Sequence, residues 1–275
     1  MTTPTAVVDD RLVDRARWAM ADTWTITLRD LLHWRNRPGV VIFNWLFPVL
    51  MMAMFTGLLG GALGAGTEGS YINFVMPGIF AMTMFFGLEG TMTAVTTDAS
   101  KGVTDRFRSL PMSGTGVVAG RCGADMANSV VGLAVVAVSG IAFGWRPDAS
   151  APALVIVFGL LLLLRFAMLW AGIFAGLRIK GPEAAGVVQV MVWPLLFLSN
   201  VFVDTTTMPR WLGTIAEANP LSATATAVRE LLGSPSPGSE SWFTEHATAL
   251  AVAYPVLIAS VFATLSVSSY RHLRR

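Results

Sequence analysis

The sequence predicts an all-α integral membrane protein with six transmembrane helices, an N-terminal amphipathic interfacial helix and short external re-entrant helices between spans five and six. Three observations predict it. Of 275 residues, 54% are hydrophobic and only 13% charged, with a mean hydropathy of +0.61, whereas charged residues make up about a quarter of an ordinary soluble domain. The apolar residues fall in long uncharged runs, each able to cross about 30 Å of hydrocarbon as a helix. No strand-like alternation repeats along the chain, which argues against a β-barrel.

Residues 1–37 read as a tail and amphipathic helix, and residues 38–275 as one six-span membrane domain. The first ten residues are polar and acidic, with no basic region leading into an apolar core, so no cleavable signal peptide is expected. Over residues 9–36, Leu12, Val13, Ala16, Met20, Trp24, Leu31 and Trp34 share one helical face, and Arg11, Arg15, Asp22 and Arg29 the opposite one. Such a helix lies in the interface plane or packs on a partner.

Pro38-Gly39 breaks that helix, and a first span follows from Val40 to about Leu63, with Gly60, Gly61, Gly64 and Gly66 ending it in a loop. The second span, Asn73 to about Thr97, carries one acid, Glu89. A charged island follows, Ser100 to Ser113, and then a third span from about Val117 to Phe143. After the turn Gly144-Trp145-Arg146-Pro147-Asp148, a fourth span runs from Ala151 to about Leu177 with Arg165 inside it. The connector Arg178 to Glu183 leads to a fifth span, Ala184 to Val203, interrupted by Pro194. The last span is Ala247 to about Ser268. Between the fifth and last spans, Pro209 to Ala216 and Leu221 to Leu232 each read as a short amphipathic helix, separated by Asn219-Pro220. Paired half-helices dipping back towards the membrane fit this pattern.

Basic residues set the sidedness. The N-terminal element, the island with Arg121, the connector with Arg178 and Lys180, and the tail with Arg271, Arg274 and Arg275 carry most of them, against only Arg146, Arg210 and Arg229 opposite. The positive-inside rule then places both termini, the island and the connector in the cytoplasm. Arginine far outnumbers lysine, a usage that suggests a GC-rich bacterial source and hence a bacterial inner membrane.

Chemistry is sparse. Cys122 is the single cysteine, which excludes an internal disulfide, and no metal-ligand spacing surrounds His33, His246 or His272. No catalytic constellation is evident, which disfavours a membrane-embedded enzyme. No phosphate-cradling Gly-x-x-x-x-Gly-Lys-[Ser/Thr] loop occurs, so ATP and Mg, if used, belong to another chain. In the island, Arg106 and Arg108 can pair with acids on a partner, Phe107 and Leu110 can fill a groove, and Pro111 stiffens the end. A charge inside a span costs at least about 2.5–3.5 kcal/mol, so Glu89 and Arg165 should each face a partner or water. Glu89 lies roughly 13 Å along the helix from Asp98, and either lines an inward-facing cavity or pairs with Arg165 or Arg121. Asp125, one turn after Arg121, reads as that arginine's partner. Met84 and Phe85, among many Met and aromatic residues, either line an adaptable path or pack between helices.

The island Gly102 to Ser113, Gly120-Arg121, Phe143 to Pro147, Gly181 to Ala184, Leu196 to Val203 with Met208-Pro209, and Ala218 to Leu221 together resemble the permeases of type-two ATP-binding-cassette exporters, in particular the daunorubicin-resistance-like drug permeases. The resemblance runs from about residue 75 to the end, in the family's order. It implies a six-span half-transporter working as a dimer, with a second permease chain, two copies of a separate ATPase, and no nucleic-acid partner. It makes Asp105, Arg106, Phe107, Arg108, Leu110, Pro111, Lys180 and Glu183 the ATPase-coupling residues. Glu89, Arg165, Met84 and Phe85 become candidates for the translocation path, and Asn200, Asn219 and Pro220 for an external gate. The expected function is ATP-driven export of a hydrophobic or amphiphilic solute such as a drug, lipid or polyketide. An ion-gradient-driven secondary transporter is the alternative.

Overall fold

The structure, a computed structural model, describes residues 21, 23–28, 32, 38–63, 71–101, 114–179, 182–235, 238 and 241–272. These residues form helices α1 (Pro38–Leu63), α2 (Tyr71–Ser100), α3 (Gly114–Ala142), α4 (Ala151–Arg178), α5 (Pro182–Phe197), α6 (Arg210–Glu217), α7 (Pro220–Leu231), α8 (Trp242–Glu245) and α9 (Ala247–His272). No strand occurs among the described residues. Residues 23–28 are also helical.

Helix ends follow local chemistry. Pro38 opens α1, where a missing N–H costs nothing, so Pro38-Gly39 starts a helix. Of the glycines expected to end that helix, Gly60 and Gly61 lie within it, and Gly64 and Gly66 lie outside the described residues. The Ser150 side chain accepts from Ala153 N to cap α4, and Asn219 accepts from Leu221 N at 2.9 Å to cap α7. Between α3 and α4 the chain turns at Gly144, whose φ of 98° suits a residue without a Cβ. The turn also seats Trp145 edge-on against Phe80 at 5.4 Å.

Five helices, α1 to α4 and α9, are long and apolar enough to cross a membrane. Of the apolar window of α2, 72% is buried within the protein, against 11% of that of α1 and 22% of that of α9, so α2 is the central post. It packs most extensively on α4, whose other side takes α9. The close α2–α4 approach depends on Gly172 and Gly176, one turn apart. A Cβ at Gly172 would stand 2.7 Å from Leu88 O, and one at Gly176 2.8 Å from Met92 O. In a membrane, where lipid is as apolar as leucine, such small-residue seams let backbones meet.

The expected fifth span is the main departure. A single crossing from Ala184 to Val203 was anticipated, but α5 is 16 residues long and ends at Phe197, a rise of roughly 24 Å at 1.5 Å per residue. Residues 198–203 continue as bends. The physical reason lies in the residues that capture their carbonyls, described next. The short segments after it are helices within a residue of the expected bounds. They differ in character, however: α6 leaves Trp211 and Ile215 exposed, whereas Leu221 to Arg229 of α7 are buried without a break.

Candidate functional site

The first site is the helix break itself. Leu198 N makes the last helical bond, to Pro194 O at 2.8 Å, after which side chains replace helical partners. Asn219 Nδ2 donates to Leu195 O and Leu198 O, each at 2.7 Å. Tyr71 Oη donates to Phe202 O at 2.9 Å. Arg229 supplies the rest: Nη2 donates to Asn200 O at 2.7 Å and Val201 O at 3.2 Å, Nη1 to Asn200 Oδ1 at 3.1 Å, and Nε reaches Phe74 O in α2 at 3.0 Å. Its guanidinium lies over the Phe74 ring at 4.2 Å. Asn200 is held further by Ser222 Oγ, which accepts from its N–H at 3.0 Å, and by Thr226 Oγ1, which accepts from its Nδ2 at 2.7 Å.

Arg229 is fully buried. Burial lowers its pKa to about 9, against the opposing pull of Asp204 and Tyr71, so it stays cationic at neutral pH. Counted by sequence only for its side of the membrane, Arg229 is the buried hub joining α2, the break and α7. The signal was present in the sequence, since Ser222, Thr226 and Arg229 stand at i, i+4 and i+7, one face of a helix.

A second polar cluster lies inside the bundle. Arg165 of α4 meets Asp125 of α3, with Nη2 3.3 Å from Oδ2. Thr91 Oγ1 donates to the same oxygen at 2.7 Å and accepts from Arg165 Nη2 at 3.0 Å. Ser129 Oγ accepts from Arg165 Nε at 2.8 Å and donates to Asp125 O at 2.8 Å. The guanidinium fits because residue 87 is glycine; a Cβ there would fall on it. The expected pairing of Asp125 with Arg121 is thus corrected. Asp125 bonds Arg165, and Arg121 bonds Asp98 on α2 at 2.7 Å. Asp98 lies at the end of α2, within reach of Arg121 near the start of α3, while the Asp125 side chain points inwards along the α3–α4 seam.

Residues 23–28 pack on the beginning of α3. Thr27 Oγ1 donates to Gly120 O at 2.9 Å, and a Cβ at Gly120 would stand 2.6 Å from Thr23 O and 2.7 Å from Ile26 Cβ. Ile26 is buried there while Trp24, Leu28 and Leu32 are exposed, so Trp24 lies on a face turned away from the bundle. The other residues of the expected two-faced helix named above lie outside the described residues. Gly120→Val should detach this segment. Amide exchange of residues 23–28 is expected to quicken at least tenfold, which corresponds to about 1.4 kcal/mol of lost docking, and unchanged exchange would refute the docking.

The third feature is aromatic. Phe43 and Phe47 of α1, Phe86 of α2, Trp193 and Phe197 of α5, and Phe202 of the break form a continuous series. Phe47, Phe86 and Trp193 meet edge to face, with centroids 5.2 to 5.8 Å apart. Phe197 links Trp193 to Phe202 at 6.2 Å on each side, and Phe202 stacks on Phe55 at 3.9 Å. Phe43 and Phe197 are exposed, and Phe47, Phe86 and Trp193 are half-buried.

Of the predicted residues, Asn200, Asn219 and Pro220 come together at the break. Met84 and Phe85 are buried in the hydrophobic core, Arg165 sits in the polar cluster, and Glu89 is half-buried on α2. Asp105, Arg106, Phe107, Arg108, Leu110, Pro111 and Lys180 lie outside the described residues. Glu183 falls in the first turn of α5.

These features define a polytopic helical membrane protein in which Arg165 and Arg229 are buried inside the bundle and the penultimate long helix is broken. The chain belongs to the ABC-2 type transporter family, whose model matches residues 21–232. It is 34% identical over 263 residues to the daunorubicin resistance ABC transporter permease protein DrrB1 of Streptomyces coeruleorubidus, covering 92% of this chain and 87% of that protein. It is 24% identical over 213 residues to the putative transport permease ycf38 of Cyanophora paradoxa, covering 76% and 73%. The ycf38 protein of Porphyra purpurea is 25% identical over 200 residues, covering 71% and 68%.

Proposed function

We propose that the chain is the membrane-spanning permease subunit of an ATP-driven exporter that moves a hydrophobic or amphiphilic solute out of the cytoplasm. Family membership and the likeness to a drug-resistance permease support this reading. The observation that carries the substrate class is the aromatic series Phe43–Phe47–Phe86–Trp193–Phe197–Phe202. Its half-exposed rings on α1, α2 and α5 offer an apolar solute a sequence of equivalent contacts without fixing one geometry. Here α5 and the bends after it count as the sixth crossing, with α6 and α7 as re-entrant caps on the outer side and both termini cytoplasmic, in a bacterial plasma membrane.

A second copy of the chain covers α5. Val187, Val190, Met191 and Leu195 are all exposed, so a facing permease would enclose the aromatic series between two chains. The drive comes from two copies of a separate ATPase holding ATP and Mg. They push through the island residues Asp105, Arg106, Phe107, Arg108, Leu110 and Pro111, through Lys180 of the connector, and through Glu183 in the first turn of α5. Because α5 carries Trp193 and ends at the gate residues Asn200, Asn219 and Pro220, a push at its first turn reaches both path and gate. In this arrangement Arg165, Met84 and Phe85 form the wall behind the path.

Trp193→Ala and Phe86→Ala each remove rings worth about 1–2 kcal/mol to a bound apolar solute. Transport of an amphiphile by the assembled complex should fall roughly tenfold with complex yield unchanged. Undiminished transport in both variants would remove the aromatic path. The buried Arg165–Asp125 pair favours one second reading, since paired charges inside spans also serve ion-coupled carriers.

A further inference from the structure

Phe166, Trp170, Phe174 and Arg178 follow one another at four-residue spacing along α4, so they form one inclined ridge of the helix. Phe166 and Arg178 are exposed, and Trp170 and Phe174 are half-buried. The end of the ridge meets α9. Phe174 faces Phe262 with centroids 5.5 Å apart, and Arg178 Nε donates to Ser269 Oγ at 3.3 Å. Leu265, which lies between Phe262 and Ser269 on the same side of α9, is exposed. From Phe166 to Arg178 the helix rises roughly 18 Å, about the depth of one leaflet in a hydrocarbon core roughly 30 Å thick.

An arginine at the end of a span ordinarily extends away from it to water. Arg178 instead folds back over the Phe174 ring, with its Cζ 5.4 Å from the centroid, and its Nε is tied to α9. Neither Nη1 nor Nη2 meets an acceptor among the described residues. At the end of a span the remaining acceptors are water and the phosphate and ester oxygens of lipid. From this arrangement we infer that the α4–α9 ridge binds an anionic phospholipid, with the phosphate on the two free nitrogens of Arg178 and one acyl chain along Phe174, Trp170 and Phe166. Charge-assisted bonds hold the phosphate, and the ring surfaces give the chain a wide dispersion contact. A zwitterionic lipid carries the same phosphate but brings its own cation to it, so it gains less from Arg178. The inference requires only that α4 and α9 cross a membrane, and it stands apart from what the chain transports.

The test uses the purified full chain, delipidated in detergent and titrated with phosphatidylglycerol or with phosphatidylcholine of the same acyl chains, bound lipid being counted by native mass spectrometry. One phosphatidylglycerol should be retained at concentrations where phosphatidylcholine is not. Arg178→Ala and Arg178→Gln should each weaken that retention about tenfold, with the melting temperature of the lipid-free chain unchanged. Replacing Arg271, Arg274 and Arg275 together by glutamine should leave the retained lipid in place. Equal retention of the two lipids overturns the inference, as does retention that survives both Arg178 variants or disappears with the tail arginines. Displacement of the bound lipid by inorganic phosphate would show a plain anion site with no hold on the chain, and overturns it too.

Discussion

Arg229→Ala is expected to abolish accumulation of folded protein at growth temperature. The substitution removes four hydrogen bonds and leaves the carbonyls of Asn200, Val201 and Phe74, with Asn200 Oδ1, short of a donor in a site that the protein fully encloses. An orphaned buried acceptor costs about 1–3 kcal/mol, so the sum reaches at least about 3 kcal/mol even after partial relaxation. Backbone that has left a helix in or near a membrane needs substitutes for the lost helical bonds, and Arg229 is the principal one here. Lysine has the charge but not the planar fork that reaches four acceptors, so Arg229→Lys should recover only part of the loss. Thermal unfolding followed by size-exclusion chromatography in detergent checks both variants. A melting temperature within a few degrees of wild type for Arg229→Ala would show that the break does not depend on this side chain.

Gly87→Val should be almost as damaging, through a different route. The added carbons occupy the position of the Arg165 guanidinium, which must leave Asp125, Thr91 and Ser129 without space to move along the seam. Breaking a buried charge pair costs about 3–5 kcal/mol. The control is the background Arg165→Met with Asp125→Asn, where neither the clash nor the stranded charge exists. There Gly87→Val should cost below about 1 kcal/mol, the difference being the coupling that a mutant cycle isolates. Equal costs in the two backgrounds would mean that Gly87 matters for α2 itself rather than for the ion pair.

The long helices were legible because each rests on a repetitive, local quantity: the length of an apolar run closed by Gly, Pro or charge. What was not legible depends on who meets whom. Arg229 sits in a polar stretch and counts as an outer-side charge by sequence; only the packing of α7 against Phe74 and Asn200 makes it a buried hub. The break after Phe197 has no strong breaker at the point where it occurs, since Pro194 lies inside α5. It exists because Asn219, Arg229 and Tyr71, distant in sequence, take over carbonyls that a continuing helix would have used. Asp125 was assigned to its neighbour Arg121 on helical spacing, but the bundle offered each a better-placed partner on another helix. By contrast, Asn200 and Asn219 both bond at the break, Asn219 to the carbonyls of Leu195 and Leu198 and Asn200 to Arg229, and the turn at Gly144 ends α3 where its residue types require.

The central claim is that a separate ATPase powers movement of an amphiphile through this chain. Uptake of such a probe into proteoliposomes holding the chain and its ATPase, compared with vanadate and with a protonophore, tests it most directly. Vanadate should abolish transport, the protonophore should leave it intact, and the purified chain alone should hydrolyse no ATP. Transport that survives vanadate and collapses with the protonophore would contradict the account and transfer the Arg165–Asp125 pair to an ion-coupled carrier.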